Sequence, residues 1–77
     1  MTALKLTARQ AEIWALVARG YSNGEIAEIC DLREPTVNAY LTRVYGKLYL
    51  SGPTRGVYRV QAALAYWRQQ GFELGEK

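Results

Sequence analysis

The sequence predicts an all-α domain made of four helices. Apolar residues recur at intervals of three and four, two capping-box sequences mark helix starts, and glycine or proline stands where helices should end or begin. The chain of 77 residues suffices for one small domain, so 1–77 is taken as a single unit with a flexible tail at 71–77. The predicted helices span about residues 8–19, 23–30, 34–48 and 55–70.

Each of the first two helices opens with a capping box, in which a hydroxyl at the N-cap and a Glu or Gln three residues later satisfy each other's exposed amides. The first box pairs Thr7 with Gln10, and the second pairs Ser22 with Glu25. Gly20 is expected to end the first helix, because glycine adopts the left-handed conformation at low cost.

The third helix is expected to follow a tight turn at Asp31, a residue type that tolerates positive φ better than most. Pro35 falls in its first turn, where the missing N–H costs nothing. A short helix, a brief turn and a longer helix are the arrangement of a helix-turn-helix, whose second helix enters the DNA major groove. One apolar stripe is expected to face the core: Val37, Leu41, Val44 and Leu48.

The other side of the third helix carries small or short polar residues, where an ordinary solvated helix would carry Glu and Lys. Little on this side obstructs close approach to a grooved partner. A surface helix with no ligand is the alternative interpretation of this side alone. The residues are Asn38, Ala39, Thr42 and Gly46, with Arg43 and Lys47 on the flank.

The fourth helix, for which Thr54 is the expected N-cap, has two apolar faces. One face carries Val57, Val60, Leu64 and Trp67, and the other carries Tyr58, Ala62, Ala65 and Tyr66. One face can pack on the domain, and a second copy of the helix is the simplest cover for the other. The alternative is a helix buried wholly inside one domain. The predicted dimer interface is Tyr58, Ala62, Ala65 and Tyr66.

Charge is distributed unevenly along the chain, whose net charge is +3. Residues 1–34 carry four basic and five acidic side chains, a net of −1. Residues 35–72 carry five basic side chains and no acidic one, a net of +5. An acid-free half is the electrostatic footprint of a polyanion binder, with chance clustering as the alternative. The basic residues of this half are Arg43, Lys47, Arg55, Arg59 and Arg68.

Composition argues against several other classes of protein. One cysteine, Cys30, and no histidine exclude a disulfide framework and a Cys/His zinc site, and Cys30 is expected to be a buried thiol. No catalytic residue, metal ligand or cofactor is predicted, because the sequence has no Gly-rich phosphate loop and no carboxylate pair in a plausible cleft. The absence of a long apolar run and of a signal peptide predicts a cytoplasmic setting without membrane or small-molecule partners.

Several linked motifs carry a family resemblance. They are Leu6-Thr7-x-Arg9-Gln10-x-Glu12, Gly20-Tyr21-Ser22-Asn23-x-Glu25-Ile26-Ala27, Thr36-Val37 and Leu41-x-x-Val44-Tyr45-x-Lys47-Leu48. Together they resemble the LuxR-type, or GerE-type, helix-turn-helix domain, in order from Leu6 to about Val60.

The resemblance implies a four-helix domain that inserts its third helix into the major groove and dimerises through its fourth. It implies binding to inverted repeats of double-stranded DNA and control of transcription, with RNA polymerase or another regulator as a further partner. Domains of this family often follow a sensor or receiver domain, and a 77-residue protein is expected to stand alone. By position, Asn38, Ala39 and Thr42 would face bases, and Thr36, Arg43 and Lys47 would contact the DNA backbone.

The sequence departs from the family pattern at several positions. Asn38 stands where family members commonly have Lys, and Tyr40 where they have His. Arg33 occupies a cap position that is commonly Ser or Thr, Asp31 a turn position that is commonly Gly, and Gly46 a position that is often charged. Loss of the Lys is expected to weaken non-specific, salt-dependent DNA binding.

The residues themselves predict a half-site that leans towards A·T pairs. Asn38 can bond an adenine edge and Thr42 can contact a thymine methyl, with Arg43, Lys47 and Arg55 as anchors. The competing hypothesis is a protein-binding module that docks on a regulator or on RNA polymerase through its fourth helix. Such a module has no need for an acid-free half with a net charge of +5.

Overall fold

The computed structural model describes residues 5–48 and 55–71. This part of the chain contains four α-helices and no strand, as predicted. The expected N-cap Thr54 and residues 72–77 of the predicted tail lie outside the described residues. The helices are α1 Ala8–Ala18, α2 Asn23–Cys30, α3 Glu34–Lys47 and α4 Arg55–Gln69.

Both predicted capping boxes are confirmed. The amide of Gln10 donates to Thr7 Oγ1 and the amide of Thr7 donates to Gln10 Oε1, each at 3.1 Å. The amide of Glu25 donates to Ser22 Oγ at 3.1 Å, and the amide of Ser22 donates to Glu25 Oε1 at 2.8 Å. These reciprocal bonds satisfy amides that have no partner inside their own helix, and so fix where α1 and α2 begin.

The ends of α1 and α2 use the left-handed backbone conformation that the sequence indicates. Gly20 has a φ of 94°, and the amide of Tyr21 beyond it donates to the carbonyl of Leu16 at 3.2 Å. Asp31 has a φ of 57°, and the amide of Leu32 donates to the carbonyl of Ala27 at 2.8 Å. At each of these two helix ends, the hydrogen bond closes a six-residue loop and satisfies a terminal carbonyl. The chain then turns into the next helix.

Helices α1, α2 and α3 enclose a small apolar core, to which α4 contributes Ala62. The stripe of α3 faces it as predicted, with Val37, Leu41 and Val44 buried and Leu48 partly buried. Cys30 is buried among apolar neighbours, as expected. This packing fixes which side of α3 faces outwards. The buried hydrophobic residues are Ile13, Trp14, Val17, Ile26, Ala27, Cys30, Val37, Leu41, Val44, Tyr45 and Ala62.

The fourth helix packs against α1 through the face that was predicted to form a dimer. Ala62 is 0% exposed, and its carbonyl accepts a 2.8 Å hydrogen bond from Trp14 Nε1. The Tyr66 ring meets the Trp14 ring edge-to-face with centroids 5.2 Å apart, and Tyr58 meets Tyr45 at 5.7 Å. Tyr58, Ala65 and Tyr66 pack against the core.

Ala62 is already buried within the single chain, so it offers no exposed surface there to a second copy, and the dimer interface stays a prediction. On the other apolar face of α4, Val60 is 61% exposed and forms the outward side of the helix, whereas Trp67 donates to the carbonyl of Ala18 in α1. Periodicity alone could not choose between the two faces, since both are apolar. Trp14 decides the choice, because its buried indole N–H needs an acceptor and finds the Ala62 carbonyl.

Two glycines, one inside α3 and one just beyond α1, provide a matched test of where the backbone requires glycine. A methyl group added at Gly46 or at Gly20 would meet nothing within 4 Å, but only Gly20 has positive φ. Gly46→Ala is expected to raise the free energy of unfolding by about 0.5–1 kcal/mol, since Gly46 lies inside α3. Gly20→Ala is expected to lower it by about 1 kcal/mol or more. Urea denaturation measures both, and equal effects of the same sign would contradict this account.

Candidate nucleic-acid interface

The side of α3 opposite its buried stripe is exposed along the helix. Five predicted DNA-binding residues lie on α3 with exposed side chains, and Gly46 is exposed beside them. We refer to Asn38, Ala39 and Thr42 as the reading face, because these three were predicted to contact bases. The five exposed residues are Thr36, Asn38, Ala39, Thr42 and Arg43.

The Thr42 side chain is held by its own helix. Its hydroxyl donates to the carbonyl of Asn38 at 3.0 Å, one turn earlier. This bond selects one of the two rotamers that threonine adopts in a helix. Because the hydroxyl proton is used in this bond, Thr42 presents its methyl group rather than a donor to a ligand.

The beginning of α3 lacks a side-chain cap. Arg33 is the N-cap, with extended backbone and no side-chain hydrogen bond to the helix, and Pro35 occupies the first turn as predicted. Glu34 lies against the first turn of α2: a methyl group added at Gly24 would come within 3.0 Å of Glu34 Oε2. A carboxylate near a helix N-terminus is favoured by the helix dipole.

Acidic residues are concentrated in a shallow groove between α2 and the start of α3. Four carboxylates and the Arg33 guanidinium line it, which makes this side unsuitable for a phosphate backbone. Four of the five acidic side chains of residues 1–34 therefore lie together on one part of the surface. The groove carboxylates belong to Glu25, Glu28, Asp31 and Glu34.

The cations of the acid-free half differ in their surroundings. Arg43 and Arg68 are exposed, and the side chain of Arg55 lies outside the described residues. Lys47 Nζ donates to Gln10 Oε1 at 2.9 Å and to the carbonyl of Lys5 at 2.5 Å. Arg59 donates to Asn23 Oδ1 at 2.7 Å and to the carbonyl of Tyr21. These acceptors of Lys47 and Arg59 are neutral, so they do not cancel the positive charges of the two side chains.

Sequence reasoning missed the two bonds that tie Lys47 and Arg59 to other helices. Residues 47 and 10 are 37 positions apart, and residues 59 and 23 are 36 apart, so no local pattern joins them.

Within residues 5–48 and 55–71, the single ion pair is Arg9–Glu12 at 3.3 Å. The positive charge near α3 is therefore available to a polyanion.

The part of the chain that the structure describes contains no group of three or more His, Cys, Asp or Glu side chains that could hold a metal ion. None of its helices has the length and apolar character needed to cross a bilayer.

Comparison with known proteins agrees with this geometry. The family described as bacterial regulatory proteins, luxR family, matches residues 4–57, which include α1, α2 and α3. The chain belongs to the LuxR family. LuxR-type domains of this kind bind DNA and regulate transcription. In this chain α3, which carries the reading face, is the second helix of the helix-turn-helix.

Individual relatives of this LuxR-family chain include proteins named response regulator protein VraR. Those of Staphylococcus aureus, Staphylococcus saprophyticus and Staphylococcus epidermidis are each 38% identical to it over 52 residues. The aligned part covers 68% of this chain and 25% of each relative. The chain thus matches about a quarter of the length of these regulators.

Proposed function

We propose that this chain binds double-stranded DNA at specific sequences, with α3 in the major groove, and thereby regulates transcription in the cytoplasm. The observation that supports this most directly is the reading face of α3. It is exposed, built from small or short polar side chains, and backed by a buried apolar stripe that holds the helix against the core. An α-helix fits the major groove, and small residues let it approach base edges closely.

The reading face favours A·T base pairs. An Asn side chain can bond the N6 and N7 atoms of adenine together, and the methyl groups of Ala39 and Thr42 can contact a thymine methyl. The hydroxyl of Thr42 already donates to the Asn38 carbonyl. This bond supports contact between Thr42 and a base through its methyl group. We therefore propose Asn38 as the main base-specific residue.

Binding to the DNA backbone is assigned to residues around the reading face. Arg43 is exposed and lies next to Thr42, where its guanidinium can reach a phosphate. Thr36 is exposed in the first turn of α3, and Arg55 begins α4. These contacts would set the position of α3 on the duplex without carrying sequence information.

Two substitutions test this division of roles. Asn38→Ala is expected to cost about 1–3 kcal/mol of binding free energy at one base pair of the preferred site, and little on unrelated DNA. Arg43→Met is expected to weaken binding to all sequences alike and to reduce the salt slope by about one phosphate contact. Titrations of both variants against matched and mismatched duplexes provide the measurement. Even losses on every duplex for both variants would contradict the assignment.

We also propose that two copies bind an inverted repeat, joined through the outward side of α4. Val60 is exposed there, beside the half-buried Val57 and Leu64, and a second copy would remove this apolar surface from water. A duplex with two half-sites about one helical turn apart is expected to bind two copies cooperatively. Non-cooperative binding to two independent half-sites would contradict the dimer and leave the proposal for α3 intact.

The same exposed surface favours a second candidate function. A protein partner, such as a related regulator or RNA polymerase, could cover Val60 in place of a second copy. In that case the chain would modulate the partner without reading DNA. Failure to bind any duplex at low salt, together with formation of a complex with such a partner, would favour this function.

A further inference from the structure

The last residue of α3 is joined to the first turn of α1 through a buried amide. Gln10 is 5% exposed and is the one buried polar side chain among the described residues. Its Oε1 accepts from the amide of Thr7 at 3.1 Å and from Lys47 Nζ at 2.9 Å. One atom therefore takes part both in the capping box of α1 and in the contact that holds the end of α3.

The Lys47 ammonium makes a second bond to the same region. Nζ donates to the carbonyl of Lys5 at 2.5 Å, just before the capping box. Hydrogen bonds from a charged donor are stronger than those between neutral groups. An ammonium has three N–H groups, and here two of them are engaged with α1 and the segment leading into it. This arrangement differs from that of Arg43, which is exposed on the same helix.

The position of this contact relates it to base recognition. At a rise of about 1.5 Å per residue, Thr42 lies roughly 7.5 Å and Asn38 roughly 13.5 Å along α3 from Lys47. A tilt of the C-terminal end of α3 would therefore displace the reading face. Specific recognition requires side chains to be held to within about 0.5 Å by supporting residues.

We propose that Lys47 is a positioning residue, which acts through Gln10 to set the angle of α3 and so controls base discrimination, in place of the phosphate contact predicted for it. This inference rests on the proposed DNA-binding function. It assigns different roles to two neighbouring cations of the acid-free half. Arg43 supplies attraction to any duplex, whereas Lys47 preserves the difference between the preferred site and other sequences.

A double-mutant cycle tests the proposal on the full chain. The variants are Lys47→Met, which keeps the aliphatic stem, Gln10→Leu, and the two combined. Unfolding by urea without DNA measures their coupling. Binding to the preferred duplex and to a scrambled duplex over a salt series measures discrimination. The comparison variant is Arg43→Met, which also removes one positive charge from α3.

Lys47→Met is expected to reduce the ratio of affinities for the preferred and scrambled duplexes by roughly tenfold, with an unchanged salt slope. Gln10→Leu should reproduce this loss, and the double variant should lose little more than either single variant. Gln10→Glu keeps both the acceptor and the capping box, so it should retain discrimination. Arg43→Met should instead lower the salt slope and preserve the ratio.

The proposal is overturned if Lys47→Met lowers the salt slope as Arg43→Met does while the affinity ratio stays at the wild-type value. Additive effects of Lys47→Met and Gln10→Leu on unfolding would also overturn it, since the two side chains would then not be coupled. In both cases the wild type still binds DNA, so the proposed function survives. If the wild type binds neither duplex at low salt, the proposed function fails together with the positioning role.

Discussion

Replacing Trp14 with alanine is expected to leave most of the protein unfolded at 25 °C. Removal of a buried Trp side chain costs about 3–5 kcal/mol, and a core of this size supplies about 3–5 kcal/mol in total. Trp14 is buried between α1 and α4, donates to the Ala62 carbonyl and contacts the Tyr66 ring. Its loss should therefore detach α4 from the rest of the domain.

The second tryptophan provides a matched control. Trp67 Nε1 donates to the carbonyl of Ala18 at 2.9 Å, but this bond is only partly buried and lies near the end of α4. Trp14→Phe should cost about 1–3 kcal/mol through its lost donor, and Trp67→Phe should cost less because water reaches its acceptor. Urea denaturation followed by circular dichroism measures both. Equal losses would contradict the role of Trp14 as the main anchor of α4.

Ala39→Glu is expected to reduce affinity for the preferred duplex by about 100-fold or more. Ala39 is exposed in the middle of the reading face, so a carboxylate there would lie against the electronegative groove and its phosphates. Like charges brought together in an interface cost several kcal/mol. Folding should be nearly unaffected, because Glu is a good helix former and exposed substitutions usually change stability by less than about 0.5 kcal/mol.

The control for Ala39→Glu is the same change on another helix. Ala11 is an exposed alanine in α1, and Ala11→Glu alters the net charge equally. It should weaken binding only slightly, through the general loss of attraction for DNA. Fluorescence anisotropy titrations of the two variants provide the comparison. If both lose affinity by the same factor, the reading face has no special role and net charge alone explains the binding.

The sequence predicted most where local chemistry decides structure. The capping boxes at Thr7 and Ser22 fixed the starts of two helices, and Gly20 and Asp31 adopt the positive φ that their positions require. The burial of the α3 stripe was predictable because an amphipathic helix with a single apolar face packs that face against the core. The exposed reading face follows directly from that stripe.

The orientation of α4 and the partners of two cations could not be predicted in the same way. Apolar side chains occur on both faces of α4, so the choice depended on the Trp14 indole, 48 residues from Ala62. Counting charges placed Lys47 and Arg59 in a basic half but could not show that neutral groups of α1, α2 and their flanking segments hold them. Long-range polar contacts leave no periodic signal in a single sequence.

Selection of bound sequences from a pool of random duplexes, at two salt concentrations, tests the central claim most directly. We expect recovery of an inverted repeat with half-sites about one helical turn apart, each containing A·T pairs, and affinity that falls as salt rises. Asn38→Ala should relax the preference at one of those pairs. Salt-sensitive binding without a common motif would contradict sequence-specific recognition by α3. No binding at low salt would contradict the DNA-binding function altogether.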